Sequence, residues 1–406
     1  MNPKLNLLQP YPFEKLRGLL NAANPAQTGL KLIDLSIGEP KHAAPACVKL
    51  AITNHLEGLS VYPSTKGDET LRIAISNWVG RRYGIPALNA HTQVLPALGS
   101  REALFAFAQT VLDAKQKGYV VCPNPFYQIY EGATLLGGAQ PYYVNADPNR
   151  NFLSDWSSVP DDIWRQTQLL FVCSPGNPAG SVMGLEDWST LFSLADRFGF
   201  VIASDECYSE IYLDENHPPM GGLAAAHALG RTDFKGLVCF SSLSKRSNLP
   251  GLRSGFVAGD ANLIEKFLLY RTYHGSAMSP VVSHASLAAW QDEDHVIENR
   301  KQYRAKFDAV LPILQPHLEV ERPDASFYLW AKTPISDPDF VFQLLNTQAV
   351  RVLPGSYVGR EINGVNPGTN RIRIALVAPL ADCVEAAQRM VVFLEKLYVH
   401  SPVTRP

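Results

Sequence analysis

Short runs of consecutive apolar residues recur through the middle of the chain, and several of them end in small or polar residues. Segments with helical spacing of apolar positions, such as residues 101–114 and 185–199, lie between most of these runs. An uninterrupted apolar run indicates a strand buried on both faces, and strands separated by helices indicate crossover connections in a largely parallel sheet. The pattern therefore predicts an α/β domain whose strand candidates lie at residues 93–100, 118–125, 169–178, 200–206, 237–245 and 254–260.

The pattern changes in the last third of the chain. Residues 295–314 have the spacing of a long amphipathic helix, and short strand candidates follow at 326–332 and 371–377, before a closing helix near 381–397. This change predicts a smaller α+β domain that shares its layer with the amino-terminal segment. The predicted large domain spans residues 46–290, and the predicted small domain combines residues 1–45 with residues 291–406.

Length and charge narrow the classes of protein that this pattern allows. A chain of 406 residues exceeds what one hydrophobic core usually holds, which agrees with two domains. Its 36 basic and 38 acidic side chains leave a net charge of -2 without a block of like charge, so neither a nucleic acid nor a membrane is indicated as a partner. Six scattered cysteines form no C-x-x-C pair, no metal-ligand spacing is visible, and the amino terminus lacks the apolar stretch of a signal peptide. We therefore expect a cytoplasmic protein with reduced cysteines and no metal.

Lys245 stands at the end of a buried run, which is where ligands bind in an open parallel sheet. Most lysines are exposed on the surface, and taken alone this one would be interpreted in that way. A lysine partly withdrawn from water instead has a lowered pKa and can form a Schiff base. Ser242, Ser244 and Arg253 lie close to it in sequence and can build a pocket for a phosphate beside the amine, which favours the second interpretation.

Two other strand ends carry groups that suit a cofactor. Ser100 and Arg101 follow Gly99 at the start of a predicted helix, where backbone N–H groups attract an anion, although Ser100 alone would be an ordinary N-cap. Asp205 ends another buried run, and a buried carboxylate is costly unless it is paired. Its partner is either a structural arginine or the pyridinium N–H of a cofactor, an interaction that makes the ring an electron sink.

Three further side chains suit the same ring. Asn177 and Tyr208 are placed to hydrogen-bond a phenolic oxygen on it, and Tyr127 offers an aromatic face for stacking. Each of them also has a purely structural interpretation: a turn asparagine, a half-buried tyrosine and a core aromatic residue.

Six segments, taken in order, resemble the motif series of the fold-type I aminotransferases: LGSREAL, PNPFYQIY, CSPGNPAG, SDECYSEIY, SLSKRSNLPGLRSG and RIRIAL. The resemblance extends over nearly the whole chain, and the lysine block with its upstream NPxG and SDExY motifs is its most specific part. It implies a large domain with a mostly parallel seven-stranded sheet flanked by helices, together with a smaller α+β domain. It also implies pyridoxal 5'-phosphate as cofactor, an amino acid and a 2-oxo acid as small-molecule substrates, and a homodimer with active sites at the interface.

The same resemblance implies a role for each residue around the ring. Lys245 would bond covalently to the cofactor and then move a proton between it and the substrate α-carbon. Asp205 would pair with the ring nitrogen. Asn177 and Tyr208 would bind the ring oxygen, and Tyr127 would stack on the ring.

Further roles implied by the resemblance concern the two anionic ends of the ligands. Arg373 would bind the substrate α-carboxylate near Gly38, with Arg371 as the alternative, and Phe126 is the alternative to the stacking tyrosine. The phosphate would be held by Ser100, by Arg101 through its backbone amide, by Ser242, by Arg253, and by Tyr62 from the neighbouring subunit.

Several stretches resemble one group within this family, the bacterial succinyldiaminopimelate transaminases; among them are QPYPFEKLRGLL, LSIGEPKHAAP and YRTYHGSAMSP. This resemblance implies amino-group exchange between N-succinyl-LL-2,6-diaminopimelate and 2-oxoglutarate in lysine biosynthesis. Lys66, Arg271 and Arg246 are candidates, by position only, for binding the distal carboxylates. The alternatives are an aspartate, acetylornithine or aromatic aminotransferase and a carbon–sulfur β-lyase of the same fold. A nicotinamide-dependent enzyme is disfavoured because no G-x-G-x-x-G motif follows a strand.

Overall fold

The computed structural model describes residues 1–116 and 118–400. The α-helices are α1 (Pro12–Leu20), α2 (Ala46–Asn54), α3 (Glu69–Tyr83), α4 (Ser100–Val111), α5 (Ile129–Gly137), α6 (Asp161–Trp164), α7 (Leu185–Phe198), α8 (Gly222–Ala228), α9 (Leu243–Arg246), α10 (Ala261–His274), α11 (Pro280–Gln291), α12 (Asp294–Leu314), α13 (Asp337–Gln348) and α14 (Leu380–His400). The strands are β1 (Ile33–Asp34), β2 (Val94–Ala97), β3 (Tyr119–Asn124), β4 (Gln140–Asp147), β5 (Leu153–Ser154), β6 (Thr167–Cys173), β7 (Val201–Asp205), β8 (Leu237–Ser242), β9 (Gly255–Gly259), β10 (Tyr328–Lys332), β11 (Val350–Arg351), β12 (Leu353–Pro354) and β13 (Arg371–Ala375).

The main sheet has the strand order β2-β9-β8-β7-β6-β3-β4-β5. Neighbours from β8 through β4 pair in parallel, whereas β9 lies antiparallel between β2 and β8. The structure confirms a mostly parallel sheet flanked by helices, and it adds to the seven expected strands a two-residue strand, β5, at one edge. Each of the six predicted apolar runs overlaps one of these strands. The eight residues of β4 include only one that is fully buried, which is why this strand showed no apolar run.

The hydrophobic core packs on both faces of the main sheet and forms a separate cluster in the carboxyl-terminal part. Along β3, Val121 belongs to one cluster while Val120 and Cys122 belong to another, because successive side chains of a strand point to opposite faces. The separate cluster joins Leu16 and Ile33 of the amino-terminal segment to residues of β10–β13 and of α12–α14. The cluster includes residues from both segments of the predicted small domain, and the division into two domains stays a prediction.

The carboxyl ends of the parallel strands meet at one edge of the main sheet. Strands β3, β6, β7 and β8 end at Asn124, Cys173, Asp205 and Ser242, and Cys173 pairs directly with Asp205. Helix α4 begins at Ser100, three residues after β2 ends. A smaller antiparallel sheet, β10-β13-β12, supplies Arg373 to the same region. None of the helices in the described part of the chain is both long enough and apolar enough to cross a membrane.

Candidate active site

A cavity of about 410 Å³ lies at this edge of the main sheet. Its walls come from the ends of β6, β7 and β8, the start of α4, and residues of β10 and β13. Eleven of the twelve residues predicted for the site line it: Gly38, Ser100, Arg101, Tyr127, Asn177, Asp205, Tyr208, Ser242, Lys245, Arg253 and Arg373.

Lys245 lies on the four-residue helix α9, which the side chain of Ser242 caps by accepting a hydrogen bond from the backbone N–H of Ser244 at 3.1 Å. Its Nζ donates to the carbonyl oxygen of Gly38 and lies 5.5 Å from the ring centroid of Phe327. Burial lowers the pKa of Lys245 to about 8, so a larger fraction of the amine is neutral near pH 7 than for an exposed lysine. The amine can therefore act as a nucleophile or as a proton carrier.

Asp205 is 4% exposed, and neutral groups are its hydrogen-bond donors. Its Oδ2 accepts from the hydroxyl of Tyr130 at 2.8 Å, and its Oδ1 accepts from the backbone N–H of Cys207 at 3.3 Å. Burial raises the pKa of Asp205 because desolvation disfavours the charged carboxylate. No arginine in the described residues forms an ion pair with it, so the structural-arginine alternative from the sequence is not what the structure shows.

The opposite end of the cavity is built to receive an anion. Arg253 donates to the carbonyl oxygens of Pro250 at 2.8 Å and Leu98 at 3.3 Å, and within the described residues it has no carboxylate partner. Gly99 has φ = 83°, and a Cβ at this position would lie 2.5 Å from Nη2 of Arg253, so only glycine allows this approach. The start of the twelve-residue helix α4 adds outward-pointing N–H groups beside the guanidinium.

Arg373 is another arginine of the cavity wall that has no carboxylate partner among the described residues. It is 4% exposed and donates to Oδ1 of Asn177 at 3.0 Å and to the carbonyl oxygen of Ser36 at 2.8 Å. Its Nε is buried without a partner among the described residues. Arg371, the alternative from the sequence, does not line the cavity and lies 4.7 Å over the ring of Phe152. The geometry therefore favours Arg373 as a carboxylate-binding group.

Two tyrosines of the predicted set have defined partners. The hydroxyl of Tyr208 lies 3.0 Å from the hydroxyl of Tyr328, and the hydroxyl of Tyr127 accepts from Nε of Arg101 at 2.7 Å. Phe126 also lines the cavity, so the choice of stacking residue between Phe126 and Tyr127 stays a prediction.

Three residues at or beside the cavity were not predicted from the sequence. They are Tyr130 and Cys207, which donate hydrogen bonds to Asp205, and Tyr328, which lines the cavity. Tyr130 is the third residue after Tyr127 in a short helical segment, and its spacing alone gave no sign that it would reach Asp205. Tyr328 has the appearance of a strand core residue in the sequence, yet a Cβ on Gly38 would lie 1.9 Å from its hydroxyl oxygen. This close approach explains why position 38 is a glycine.

Several residues from the sequence interpretation lie elsewhere. Tyr62 is 100% exposed and does not line the cavity of its own chain. Arg246 and Arg271, two of the three candidates by position for the distal carboxylates, are 1% and 0% exposed and lie outside the cavity, so neither is placed to bind them. Arg246 is used internally, between two tryptophan rings and beside a glutamate, and Arg271 binds the carbonyl oxygen of a proline. Lys66 does not line the cavity either.

Known proteins resemble the chain over most of its length. A family model described as aminotransferase class I and II matches residues 31–390. The LL-diaminopimelate aminotransferase of Aquifex aeolicus (strain VF5) is 30% identical over 393 residues, 95% of this chain and 97% of that protein. The crystal structure of an aminotransferase from Neisseria meningitidis Z2491 has a TM-score of 0.94 at 52% identity and covers 97% of this chain and 100% of that one. A probable N-succinyldiaminopimelate aminotransferase from Thermus thermophilus has a TM-score of 0.83 at 24% identity, covers 93% of this chain and 99% of that one, and shares the fold.

The fold and the family match together define a pyridoxal-phosphate-dependent aminotransferase. The chain belongs to the aminotransferase class I and II family, as the sequence motifs indicated.

The cavity fits the cofactor of this family. The phosphate suits the end formed by Arg253 and the start of α4, where the guanidinium has no acidic partner in the described part of the chain. The ring N–H suits Asp205, whose described donors are all neutral. The aldehyde suits the partly desolvated amine of Lys245 between these two ends. The cofactor, when bound there, supplies an electron sink that the protein side chains lack.

Proposed function

We propose that this aminotransferase exchanges an amino group between N-succinyl-LL-2,6-diaminopimelate and 2-oxoglutarate in the diaminopimelate route to lysine. The local stretches noted in the sequence support a succinylated donor. The name of the Aquifex aeolicus relative supports a diaminopimelate-type donor in general. The products are N-succinyl-2-amino-6-oxopimelate and glutamate.

Lys245 and Arg373 act on different groups of the substrate. Arg373 binds the α-carboxylate, because its side chain lines the cavity and the guanidinium has no anionic partner among the described residues. This contact orients the α-carbon. Lys245 would accept the proton of the α-carbon at its Nζ, and burial, which lowers the pKa of this amine to about 8, suits it to act as a base near neutral pH. The bound cofactor would supply the electron sink.

The remaining predicted roles concern how the cofactor is held. Asp205 pairs with the ring nitrogen, Asn177 and Tyr208 bind the ring oxygen, and Tyr127 packs on the ring face. Ser100, Ser242, Arg253 and the backbone amide of Arg101 bind the phosphate. Asp205 accepts hydrogen bonds from neutral donors, and Arg253 has no carboxylate partner among the described residues. All of these side chains line the cavity, which supports the proposed roles.

Arg101 is the residue that we propose binds the distal carboxylate of the amino donor. Its side chain lies exposed at the rim of the cavity, where Nε donates to Tyr127 and the guanidinium carbon lies 6.0 Å from the ring centroid of Tyr11. It has no carboxylate partner among the described residues. The remaining N–H groups of the guanidinium are thus available to a distal carboxylate of a long substrate. This side chain replaces the buried arginines as the candidate for distal recognition.

Free LL-diaminopimelate is the second candidate donor. It carries a distal ammonium group, which the succinylated donor lacks, and Glu39 in the cavity wall would attract such a group. Glu39 already pairs with Lys41, which reduces its attraction for an ammonium. The relatives named LL-diaminopimelate aminotransferases keep this donor in consideration.

The test is a half-reaction comparison of amino donors. The purified holoenzyme is mixed with the succinylated donor, LL-diaminopimelate, aspartate, acetylornithine, an aromatic amino acid or alanine, while the cofactor absorbance is followed. We expect the succinylated donor to react fastest. Arg101→Gln should lower kcat/KM for this donor about tenfold or more and leave that for alanine within about twofold, because alanine has no distal carboxylate.

The result would contradict the substrate proposal if aspartate or an aromatic amino acid reacted and the succinylated donor did not. Faster reaction of LL-diaminopimelate would favour the second candidate. Release of pyruvate and ammonia from a cysteine-type substrate would identify a β-lyase instead.

We further propose a homodimer in the cytoplasm, in which Tyr62 reaches the phosphate site of the neighbouring subunit. Tyr62 lies among exposed apolar side chains, with Leu59 75% exposed and Val61 60% exposed. Such a patch is unfavourable in water and favours burial against a second copy. The six cysteines are free in the structure, which suits a reducing compartment.

A further inference from the structure

A buried lysine lies behind the cavity rather than in its wall. Lys306 is 2% exposed on α12, where Asn299 and Tyr303 share its helix face at spacings of seven and three residues. No carboxylate within the described residues pairs with Lys306, and burial lowers its pKa to about 8. A desolvated ammonium costs free energy, so a structural purpose alone would be better served by an apolar side chain.

Hydrogen bonds connect this lysine to the helix turn that carries Lys245. Nζ of Lys306 donates to Nε2 of His42 at 2.7 Å and to the carbonyl oxygen of Val377 at 3.3 Å. Nδ1 of His42 donates to Oδ1 of Asn299 at 2.6 Å. The amide nitrogen of Asn299 donates to the carbonyl oxygen of Lys245 at 3.3 Å. Because Nδ2 of Asn299 donates to the carbonyl oxygen of Lys245, Oδ1 of Asn299 is the atom that faces His42. An amide oxygen only accepts, so the proton of the neutral imidazole lies on Nδ1.

Aromatic rings make a second connection between the same partners. The ring centroid of Tyr303 lies 4.6 Å from that of His42 and 5.4 Å from that of Phe327. Phe327 is the ring over which Nζ of Lys245 lies. Tyr303 and Phe327 are fully buried, so neither ring can move without disturbing its neighbour.

The segment of residues 38–42 is held at both ends by these contacts. At one end, the carbonyl oxygen of Gly38 accepts from Nζ of Lys245 when that amine is not bonded to the cofactor. At the other end, His42 reaches the backbone of Lys245 through Asn299. Since Gly38 and Glu39 line the cavity, the position of this segment shapes the place where the substrate carboxylate binds.

We propose that Lys306, His42 and Asn299 are positioning residues for amino transfer, which hold the 38–42 segment against the Lys245 turn only while His42 is neutral. The proposal rests on the proposed amino-transfer function. None of the three side chains lines the cavity, so they act through Gly38 and Lys245 rather than on the substrate.

The pH dependence follows from the groups around His42. Lys306, Glu298 and Tyr303 face His42 from α12, and Cys383 faces Lys306 from α14. Burial and then the charge of Lys306 lower the pKa of His42, so the network is intact at neutral pH. Protonation would place an N–H at Nε2 against the ammonium of Lys306. The network is therefore lost as the pH falls below the ordinary histidine pKa of about 6.5 and through the lowered one.

Lys306→Met in the full-length holoenzyme tests the positioning role, with Lys301→Met on the solvent face of the same helix as the matched control. We expect Lys306→Met to raise KM for the amino donor about five- to tenfold and to change kcat by less than about twofold, because the carboxylate site shifts while the reacting amine remains. Its melting temperature at pH 7.5 should not fall, since a thioether replaces a buried ammonium. The NMR signal of His42 is identified as the histidine signal that is absent in His42→Gln. This signal should titrate at a higher pH in Lys306→Met than in the unmodified protein, because the charge of Lys306 lowers the pKa of His42.

Two histidine variants make the test independent of how Lys306→Met folds. His42→Gln keeps an amide that can bond Lys306 and Asn299 but cannot titrate, so the acid limb of kcat/KM assigned to His42 should disappear while activity at pH 7.5 remains. His42→Phe keeps the ring packing and loses both hydrogen bonds, so KM should rise as in Lys306→Met.

The network proposal is overturned if Lys306→Met and His42→Phe match Lys301→Met in KM and the His42 titration does not move. That outcome leaves the proposed function intact as long as the donor still changes the cofactor absorbance. Failure of every amino donor to change that absorbance in the unmodified enzyme would instead refute the proposed function.

Discussion

The charged side chains of the cavity have few partners of opposite charge within the protein. Lys245, Arg253 and Arg373 donate to carbonyl or amide oxygens, and Asp205 accepts only from neutral donors among the described residues. Asp205 and Arg373 are buried, and a buried charge without an opposite partner destabilises the folded chain. A phosphate, a carboxylate and a ring N–H would supply the missing partners, so ligand binding should stabilise this protein strongly.

Asp205 allows this effect to be measured at one residue. Its pKa is raised by burial, so the folded state binds its proton more tightly than the unfolded state does. Stability is therefore lost as the pH rises from the ordinary carboxyl pKa of about 3.9 through the raised value. Asp205→Asn should raise the melting temperature of the cofactor-free protein at pH 7.5 and lower kcat on the order of a hundredfold, because the ring nitrogen loses its partner.

Thermal unfolding of the cofactor-free proteins at pH 7.5 and pH 4.5 provides the check. The stabilisation by Asp205→Asn should shrink at the lower pH. A variant that is less stable than the unmodified protein at both pH values would show that the carboxylate is satisfied by the protein alone.

Single residues were predictable where a motif fixes both chemistry and place. Lys245, Asp205 and Asn177 line the cavity as expected because each ends or follows a strand of the parallel sheet. The partners of these residues were not predictable. The hydroxyl of Tyr130 and the packing of Tyr328 against Gly38 depend on tertiary contacts that no local spacing encodes.

At the scale of elements, the apolar pattern located what is fully buried. Helix α12 spans Asp294–Leu314 against the predicted 295–314, and β13 spans Arg371–Ala375 within the predicted 371–377. Strand β4 was not predicted because its side chains are mostly half-buried. Such burial produces neither an apolar run nor a regular alternation of apolar and polar residues.

The helix that carries Lys245 shows why element boundaries needed the structure. Helix α9 has only four residues, too few for any periodic pattern. It is held by the cap from Ser242 and by the hydrogen bonds from Asn299 to the carbonyl oxygens of Lys245 and Arg246. Residues that are about fifty positions apart thus define this turn, and sequence spacing could not reveal them.

At the scale of the whole molecule, the homodimer proposal predicts that two inactive variants restore each other. Lys245→Ala removes the reacting amine, and Tyr62→Ala removes the side chain proposed to cross to the neighbour. In a mixed dimer, one of the two sites combines an intact Lys245 with an intact Tyr62. Refolding the two variants together should therefore restore roughly a quarter of the unmodified activity, since half of the randomly formed dimers are mixed.

Each variant refolded alone is the control for this experiment, together with sedimentation analysis of the mixture. Activity of the mixture that equals the mean of the two separate variants would show that Tyr62 serves its own subunit or no site at all. A monomer in sedimentation would refute the shared site directly.

The central claim is that Lys245 holds the cofactor, and reductive trapping tests it most directly. Lys306 provides an internal comparison, because burial lowers its pKa to about 8 as well, yet it lies outside the cavity. Borohydride reduction of the holoenzyme followed by peptide mapping should place the pyridoxyl phosphate group on Lys245 and leave Lys306 unmodified. A label on Lys306 or on another lysine, or the absence of any label, would contradict the account.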